Sequence, residues 1–354
     1  MNDSPPMRCS PDCRCMPNDN DLFAATEKAY DMVFKGIVDF SSIKAGLELG
    51  LFEALADGPR DLASLAETTG SVPPRREKLL ITMSQIGLAR QHEGLWSLTN
   101  FSEQFFTRPE HHRNMTMVPF VDYLAEQMQS FYLSLADVVR GKVDFTALVP
   151  HPPRTTQDSL FYETIHRSNI HFLLKLLRDE ARLDGVRHLI DVGGGVGDIA
   201  ASLCATHPEL HVSLINLPSA VELIEENLVA KGVRERVTPT VIDMYREPYP
   251  KGDAVLFSRI LYPMNPQFCT MLCQKAFDAL EPGGKILILD MDISNPQKPN
   301  YDYLSHYLCG VGMGFSVLEF KDHHIYPELL RSLGFVDVTS NEAYEHVLYQ
   351  AVKP

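Results

Sequence analysis

The chain predicts an α/β protein. A mostly parallel, doubly wound sheet closed by a terminal antiparallel pair follows an α-helical, winged-helix-like N-terminal half. Three observations carry this. From His188 onward, short apolar runs alternate with helix-length stretches, the rhythm of right-handed βαβ crossovers. The first run leads into Asp191-Val-Gly-Gly-Gly-Val-Gly-Asp and then a helical pattern. Before these, Leu22 to Phe105 reads as successive helices closed by a small β element.

In the first half, Leu22, Phe23, Tyr30, Val33, Phe34, Ile37 and Val38 recur at helical spacing, as do Ile43, Leu47, Leu51, Phe52 and Leu55. Gly58-Pro59 breaks the pattern, Asp61 opens a short helix, and Val72-Pro-Pro-Arg-Arg-Glu opens another. Leu88 to Thr99 predicts a two-stranded wing turning at Glu93-Gly94. A helical bridge from Val118 to Arg140 and a Pro-rich linker at Val149-Pro-His-Pro-Pro-Arg follow, then one helix from Ser159 to Leu183. The expected division is a disordered tail at 1–20, a dimerisation domain at 21–150 and a catalytic domain at 151–354.

In the second half the expected strands are His188–Val192, Val212–Asn216, Val237–Met244, Asp253–Leu261 and Lys285–Asp290. Phe335–Thr339 and His346–Val352 form the terminal pair.

A winged helix is often a DNA reader, but the formal net charge is −14. A phosphate backbone would be repelled unless one face were locally basic, and Arg75, Arg76 and Lys78 alone make a thin basic face. A dimerisation module is the expected role. Seven scattered cysteines do not make a disulfide framework. Cys9, Cys13 and Cys15 sit in the tail, whereas Cys204, Cys269, Cys273 and Cys309 read as small core residues. No apolar run is long enough to span a bilayer and no leader pattern opens the chain, so a cytoplasmic location is expected.

The glycine loop faces the carboxyl edge of the sheet, where such folds bind ligands. Asp198 stands where a dinucleotide fingerprint wants a third small residue. A pyrophosphate would also be repelled by Asp191 and Asp198. A cation would not be, and S-adenosylmethionine (SAM) carries a sulfonium and an ammonium and no phosphate. Asn216, at the end of the second strand, is placed to bridge ribose hydroxyls. Asp243-Met244, expected to end the third strand, suits an adenine amine and its ring face.

These residues resemble the plant-type and bacterial small-molecule O-methyltransferase family, with its winged-helix-like dimerisation half and class I, Rossmann-like SAM-binding half. The likeness runs from Tyr30 to Pro354. It includes Val33-Phe-Lys-Gly, Thr69-Gly-Ser-Val-Pro-Pro-Arg, Ile165-His-Arg-Ser-Asn, Leu256-Phe-Ser-Arg-Ile-Leu-Tyr, Leu304-Ser-His-Tyr and Gln350-Ala-Val-Lys-Pro. The resemblance implies a homodimer and a SAM site at Asp191, Gly193, Asn216, Asp243, Met244 and Ser258, with Asn169 near the methionine carboxylate and S-adenosylhomocysteine as product. Where the family has Asp, this chain has Asn216.

Family O-methyltransferases end the fourth strand in His-Asp-Trp, and that His deprotonates the substrate hydroxyl. Here Tyr262-Pro263-Met264 stands instead, and a phenol of pKa about 10 is a poor base at neutral pH. The acceptor is therefore expected to be nucleophilic already. Within the family the likeness is strongest to the branch acting on bacteriochlorophyllide-type tetrapyrroles, which implies methylation of the C-20 meso carbon of the d-type pigment to give the c-type. Tyr262 would orient the macrocycle or relay the departing proton. His306 is implied as an axial ligand to the substrate's magnesium, with no metal held by the protein alone. His166 and His171 read as structural, and Gly310-Val-Gly-Met-Gly-Phe offers room for a flat ligand. Two other readings stand beside this one. One is an O- or C-methyltransferase for a carotenoid or 2-oxo acid; the other is a SAM- or pigment-sensing winged-helix regulator.

Overall fold

The computed structural model describes residues 19–107, 116–128, 132–142, 150, 152–167, 170–262, 264–291, 325–343 and 346–354. Contacts divide the chain into two compact units, Met1–Ala125 and Glu126–Pro354. This boundary falls before the Pro-rich linker and within the expected helical bridge. Composition marks where the chain is locally broken; packing sets where the units part.

In the first unit, α1 (Asp19–Tyr30) runs through a π turn at Asp31–Lys35 into α2 (Gly36–Glu48). Gly50, in the left-handed region, turns the chain into α3 (Leu51–Ala56). Asp61 caps α4 (Leu62–Thr69) by accepting from the Ser64 N–H at 2.7 Å. Pro73 and Pro74 occupy the tolerant first turn of α5 (Pro73–Gln85). Strands β1 (Ala89–His92) and β2 (Leu95–Leu98) pair antiparallel about Glu93-Gly94, both at positive φ, which gives the wing that the sequence predicts. The helix α6 (Asn100–Phe106) carries a capping box from Thr99 and Ser102. Leu51, Phe52, Leu65, Leu80, Met83, Trp96 and Phe106 are buried together as this unit's core.

Arg76, one of the three basic residues on α5, is buried. It donates to the carbonyls of Ser71 (2.7 Å) and Leu62 (2.6 Å), so the basic face a DNA reader would need is thinner than the sequence suggests.

Next come α7 (Val118–Gln127), α8 (Leu135–Val139), α9 (Thr156–His166) and α10 (Ile170–Glu180). The single helix expected from Ser159 to Leu183 is two helices, and neither reaches Leu183. The second unit's sheet has seven strands in the order β5-β4-β3-β6-β7-β9-β8. Between β3 (His188–Val192), β4 (His211–Asn216), β5 (Val237–Val241), β6 (Gly252–Ser258) and β7 (Leu280–Met291) every pairing is parallel. In contrast, β8 (Val336–Ala343) and β9 (His346–Val352) are antiparallel to each other, and β9 is antiparallel to β7. The crossover helices are α11 (Asp198–Thr206), α12 (Val221–Ala230) and α13 (Pro266–Ala279), with α14 (Ile325–Ser332) before the terminal pair. Pro239 sits in β5, an edge strand, where its missing N–H leaves no ladder partner unsatisfied.

The central strands are apolar on both faces because helices cover both; Leu189, Ile190, Leu256 and Phe257 are wholly buried. Cys204, Cys269 and Cys273 are buried, as expected; Cys309 lies outside the described residues. β3 lies beside β6. Chain connections leave in opposite directions there, so the loops after these two strands bound the ligand crevice. Among the described residues no helix is long and apolar enough to cross a membrane.

Candidate active site

The loop after β3 is built by glycines in conformations other residues resist. Gly193, Gly195 and Gly197 have φ of 68°, 57° and 89°. Gly193 donates to the Ile215 carbonyl at 2.9 Å, tying the loop to β4. Gly194 is required for a different reason: a Cβ there would stand 2.4 Å from Asp191 Oδ2. Asp191 is fully buried and neither carboxylate oxygen has a hydrogen-bond partner. Buried polar groups are nearly always satisfied, so an orphaned carboxylate under a glycine loop fits a cationic ligand. Burial, followed by the charge of Glu163, pushes its pKa up to about 7.

Glu163, on α9, is a site residue the sequence reading did not single out. Its Oε2 would lie 2.7 Å from a Cβ at Gly195 and accepts from the Val196 N–H at 3.3 Å. Burial raises its pKa to about 7, against the Val196 N–H and the Arg167 charge, which lower it. Nothing in the sequence flags it, since it is one acid on an ordinary helix after the Pro-rich linker.

Asp198 faces elsewhere. It opens α11 and is taken by Arg167 (2.6 and 3.0 Å), Asn227 (3.0 Å) and Lys231 (3.3 Å), which hold its pKa low despite burial. The expectation that it confronts a cationic ligand is corrected: its charge is spent on fixing α9 and α12 to the loop. Only Asp191 of that predicted pair faces the glycine loop.

Asn216 ends β4 as predicted. Its Nδ2 donates to the Gly195 carbonyl at 3.0 Å, and its Oδ1 accepts from the Leu217 N–H at 2.8 Å. An Asp in its place has no N–H for Gly195, which gives a physical reason for the amide here. Strand β5 stops at Val241, so Asp243 and Met244 lie in the following turn, not in the strand as the alternation implied. That turn is firmly held. Asp243 Oδ1 accepts from the Tyr245 N–H at 2.9 Å, and the Met244 carbonyl takes Lys275 Nζ at 2.6 Å and the Tyr249 hydroxyl at 3.2 Å.

Strand β6 ends at Ser258, not Leu261, because Arg259 turns to φ 56°. A non-glycine residue there is strained, a feature that concentrates at functional sites. The Ser258 hydroxyl is buried with no hydrogen-bond partner. Arg259 donates from its backbone to the Leu289 carbonyl (2.7 Å) and from its guanidinium to the His166 carbonyl (2.9 Å). The guanidinium is pushed down by burial and supported by the charges of Tyr262, Glu163 and Asp290. Ile260 packs against Gly193, where a Cβ would meet its Cδ1 at 2.5 Å, so the loops after β3 and β6 are in contact. Tyr262 follows in this second loop, half-buried.

Beneath it, the buried Asp290 at the end of β7 accepts from the Tyr326 hydroxyl at 2.5 Å. The Tyr326 hydroxyl, pushed well up by burial and then by Asp290, stays a donor. The structure therefore gathers Asp191, Gly193, Asn216, Ser258 and Tyr262 at the switch-point edge and adds Glu163 and Arg259. Asn169, His306, the Gly310–Phe315 segment, Pro263 and the tail cysteines lie outside the described residues. Among the described residues no cluster of acids, His and Cys could hold a metal ion.

The fold and this edge define a doubly wound α/β protein with a ligand crevice at the switch point of its sheet, and comparison with known proteins gives the family. The O-methyltransferase domain family matches residues 141–335, and the chain belongs to that family of methyltransferases. It is 49% identical over 95% of its length to the whole of the bacteriochlorophyllide d C-20 methyltransferase of Chlorobaculum tepidum. It is also 29% identical, over 74% of this chain and 77% of the relative, to the 3-hydroxy-5-methyl-1-naphthoate 3-O-methyltransferase of Streptomyces sahachiroi. Human N-acetylserotonin methyltransferase, solved in complex with SAM, shares the fold. Its TM-score is 0.75 at 20% identity, covering 96% of this chain and 99% of the other.

Proposed function

We propose that the chain is a SAM-dependent C-methyltransferase that methylates the C-20 meso carbon of bacteriochlorophyllide d, giving the c-type pigment and S-adenosylhomocysteine. The full-length likeness to the Chlorobaculum tepidum enzyme carries this reading. Tyr262 in the place of the family's catalytic His supports it, because a carbon acceptor needs no base before it reacts. The orphaned Asp191 carboxylate and the glycine-only space above it fit the cationic donor. Asp191, Gly193, Asn216, Asp243, Met244, Ser258 and Asn169 would hold that donor.

When bound, SAM supplies an electrophilic methyl group on sulfur. The protein's part is to orient and to handle a proton. Met244 and Asp243, pinned by Lys275 and Tyr245, would hold the adenine end. Asn216 keeps the glycine loop closed on the donor. Tyr262, within the field of the Arg259 guanidinium, would orient the macrocycle by hydrogen bonding, or relay the proton the meso carbon must lose by giving up its own as it receives that one. His306 would address the pigment's central magnesium. Alignment of carbon and methyl accounts for most of the rate in such a site.

The test is incubation with SAM and zinc bacteriopheophorbide d, with detection by mass and absorbance. One added methyl and a red-shifted product are expected; binding of both ligands without methyl gain would refute the assignment.

The proposal includes a homodimer formed through the N-terminal half. Phe23, Tyr30, Met32, Val33, Phe34 and Ile37 form an exposed apolar face, Met32 at 76% and Phe34 at 63% of full exposure. A face of that kind marks a partner surface. Light scattering should give twice the chain mass, and Phe34→Asp with Ile37→Asp should give a folded monomer; an unchanged dimer would place the interface elsewhere. A cytoplasmic location is part of the same reading.

A further inference from the structure

We propose that Glu163 and Asp191 together form a two-carboxylate seat for the ammonium group of the donor, and that the donor enters this seat only as a proton leaves it. This rests on the SAM reading above and adds to it a residue and a linked proton.

The geometry comes from two consecutive glycines. Asp191 Oδ2 lies against Gly194, where a Cβ would stand 2.4 Å away, and Glu163 Oε2 lies against Gly195, at 2.7 Å from the same construction. The carboxylates approach the loop from different elements, β3 and α9. Asp191 is wholly buried and without a hydrogen-bond partner, and Glu163 has the single long bond from Val196. Two such groups disfavour each other's charge and cannot both ionise cheaply in a dry site.

The charges facing the pair from neighbouring elements, Arg167 and Arg259, compensate Glu163 only in part. Arg167, at the end of α9, is engaged by Asp198 at the start of α11 and by Asn227 of α12. Arg259, after β6, donates to the His166 carbonyl and faces Tyr262 and Asp290 as well as Glu163. A cation placed between the carboxylates supplies what these groups do not.

The sign follows. Burial holds both carboxyls up to about 7 in the free protein, and a bound ammonium favours their charged forms. The free protein therefore binds more protons than the complex, and affinity rises with pH through this range. The rise ends where the ligand's own α-ammonium begins to titrate, at about pH 8.

The experiment is calorimetry of the full chain with S-adenosylhomocysteine, which keeps the ammonium and lacks the sulfonium. It runs from pH 5.5 to 7.5 in two buffers of different ionisation enthalpy. Affinity should tighten about tenfold per pH unit at the acid end if one carboxyl ionises on binding and about a hundredfold if both do, and flatten above pH 7.5, with about 0.5 to 1.5 protons released at pH 6.5. Glu163→Gln should weaken binding about tenfold at pH 7.5 and lose about half of the slope and of the proton release, since burial keeps Asp191 raised without it. Glu163→Asp should keep the slope at reduced affinity, which a merely structural role would not predict. A flat wild-type profile, or a Glu163→Gln protein with the wild-type slope, overturns the proposal while leaving the donor assignment intact. Absence of binding at every pH removes the donor assignment, and the seat with it.

Discussion

Tyr262→Phe is expected to lower turnover about a hundredfold, the scale of a lost proton-handling group, while donor affinity stays within about twofold. The phenol is the only polar atom removed, and Tyr262 lies in the loop after β6 rather than in the glycine loop that faces the donor. The Arg259 guanidinium acts on it electrostatically. Single-turnover rates at saturating donor and calorimetric donor affinity give the two numbers. An equal loss in both would make Tyr262 a structural residue of the crevice and return the proton step to another group.

Gly194→Ala carries the other large expected effect. The new methyl would stand 2.4 Å from Asp191 Oδ2 and 2.6 Å from its carboxyl carbon, well inside contact distance. Asp191 is wholly buried, so it cannot swing out to solvent. Either its carboxylate or the loop must shift, and overpacking of this kind costs about 1–3 kcal/mol. Because the loop also carries the Asn216 and Val196 contacts, donor affinity should fall at least tenfold, with an unfolding midpoint lowered by several degrees. Wild-type affinity in this variant would mean that Asp191 does not lie beneath the loop. Gly36→Ala is the control, since nothing lies within 4 Å of a Cβ there.

Much of the fold is legible in the sequence because it rests on local signals. Strand β3 at His188–Val192 and the wing turn at Glu93-Gly94 follow from apolar runs and turn residues. The errors fall where a strand or helix ends. Asp243-Met244 looks like strand because Ile242 and Met244 continue the apolar alternation, yet pairing with β4 stops at Val241. β6 stops early because Arg259 adopts a positive φ that its residue type does not announce. The sequence likewise makes Asp198 a partner for the ligand, whereas Arg167 and Lys231 arrive from other helices to neutralise it.

The sequence by itself determined the alternating strands and helices, the glycines at the first loop, the acid beneath them and the tyrosine in place of a histidine. Each depends on residues close together in the chain, so periodicity, turn chemistry and motif spacing record them. Only the tertiary structure decided which acids face the crevice, since that depends on which charges distant helices bring alongside. Asp198 is neutralised by residues 31 positions before and 33 after it, whereas Glu163, unremarkable in its own helix, reaches a loop about thirty residues away. Charge acts through space, and the spacing of residues along a chain does not encode the distances that folding creates.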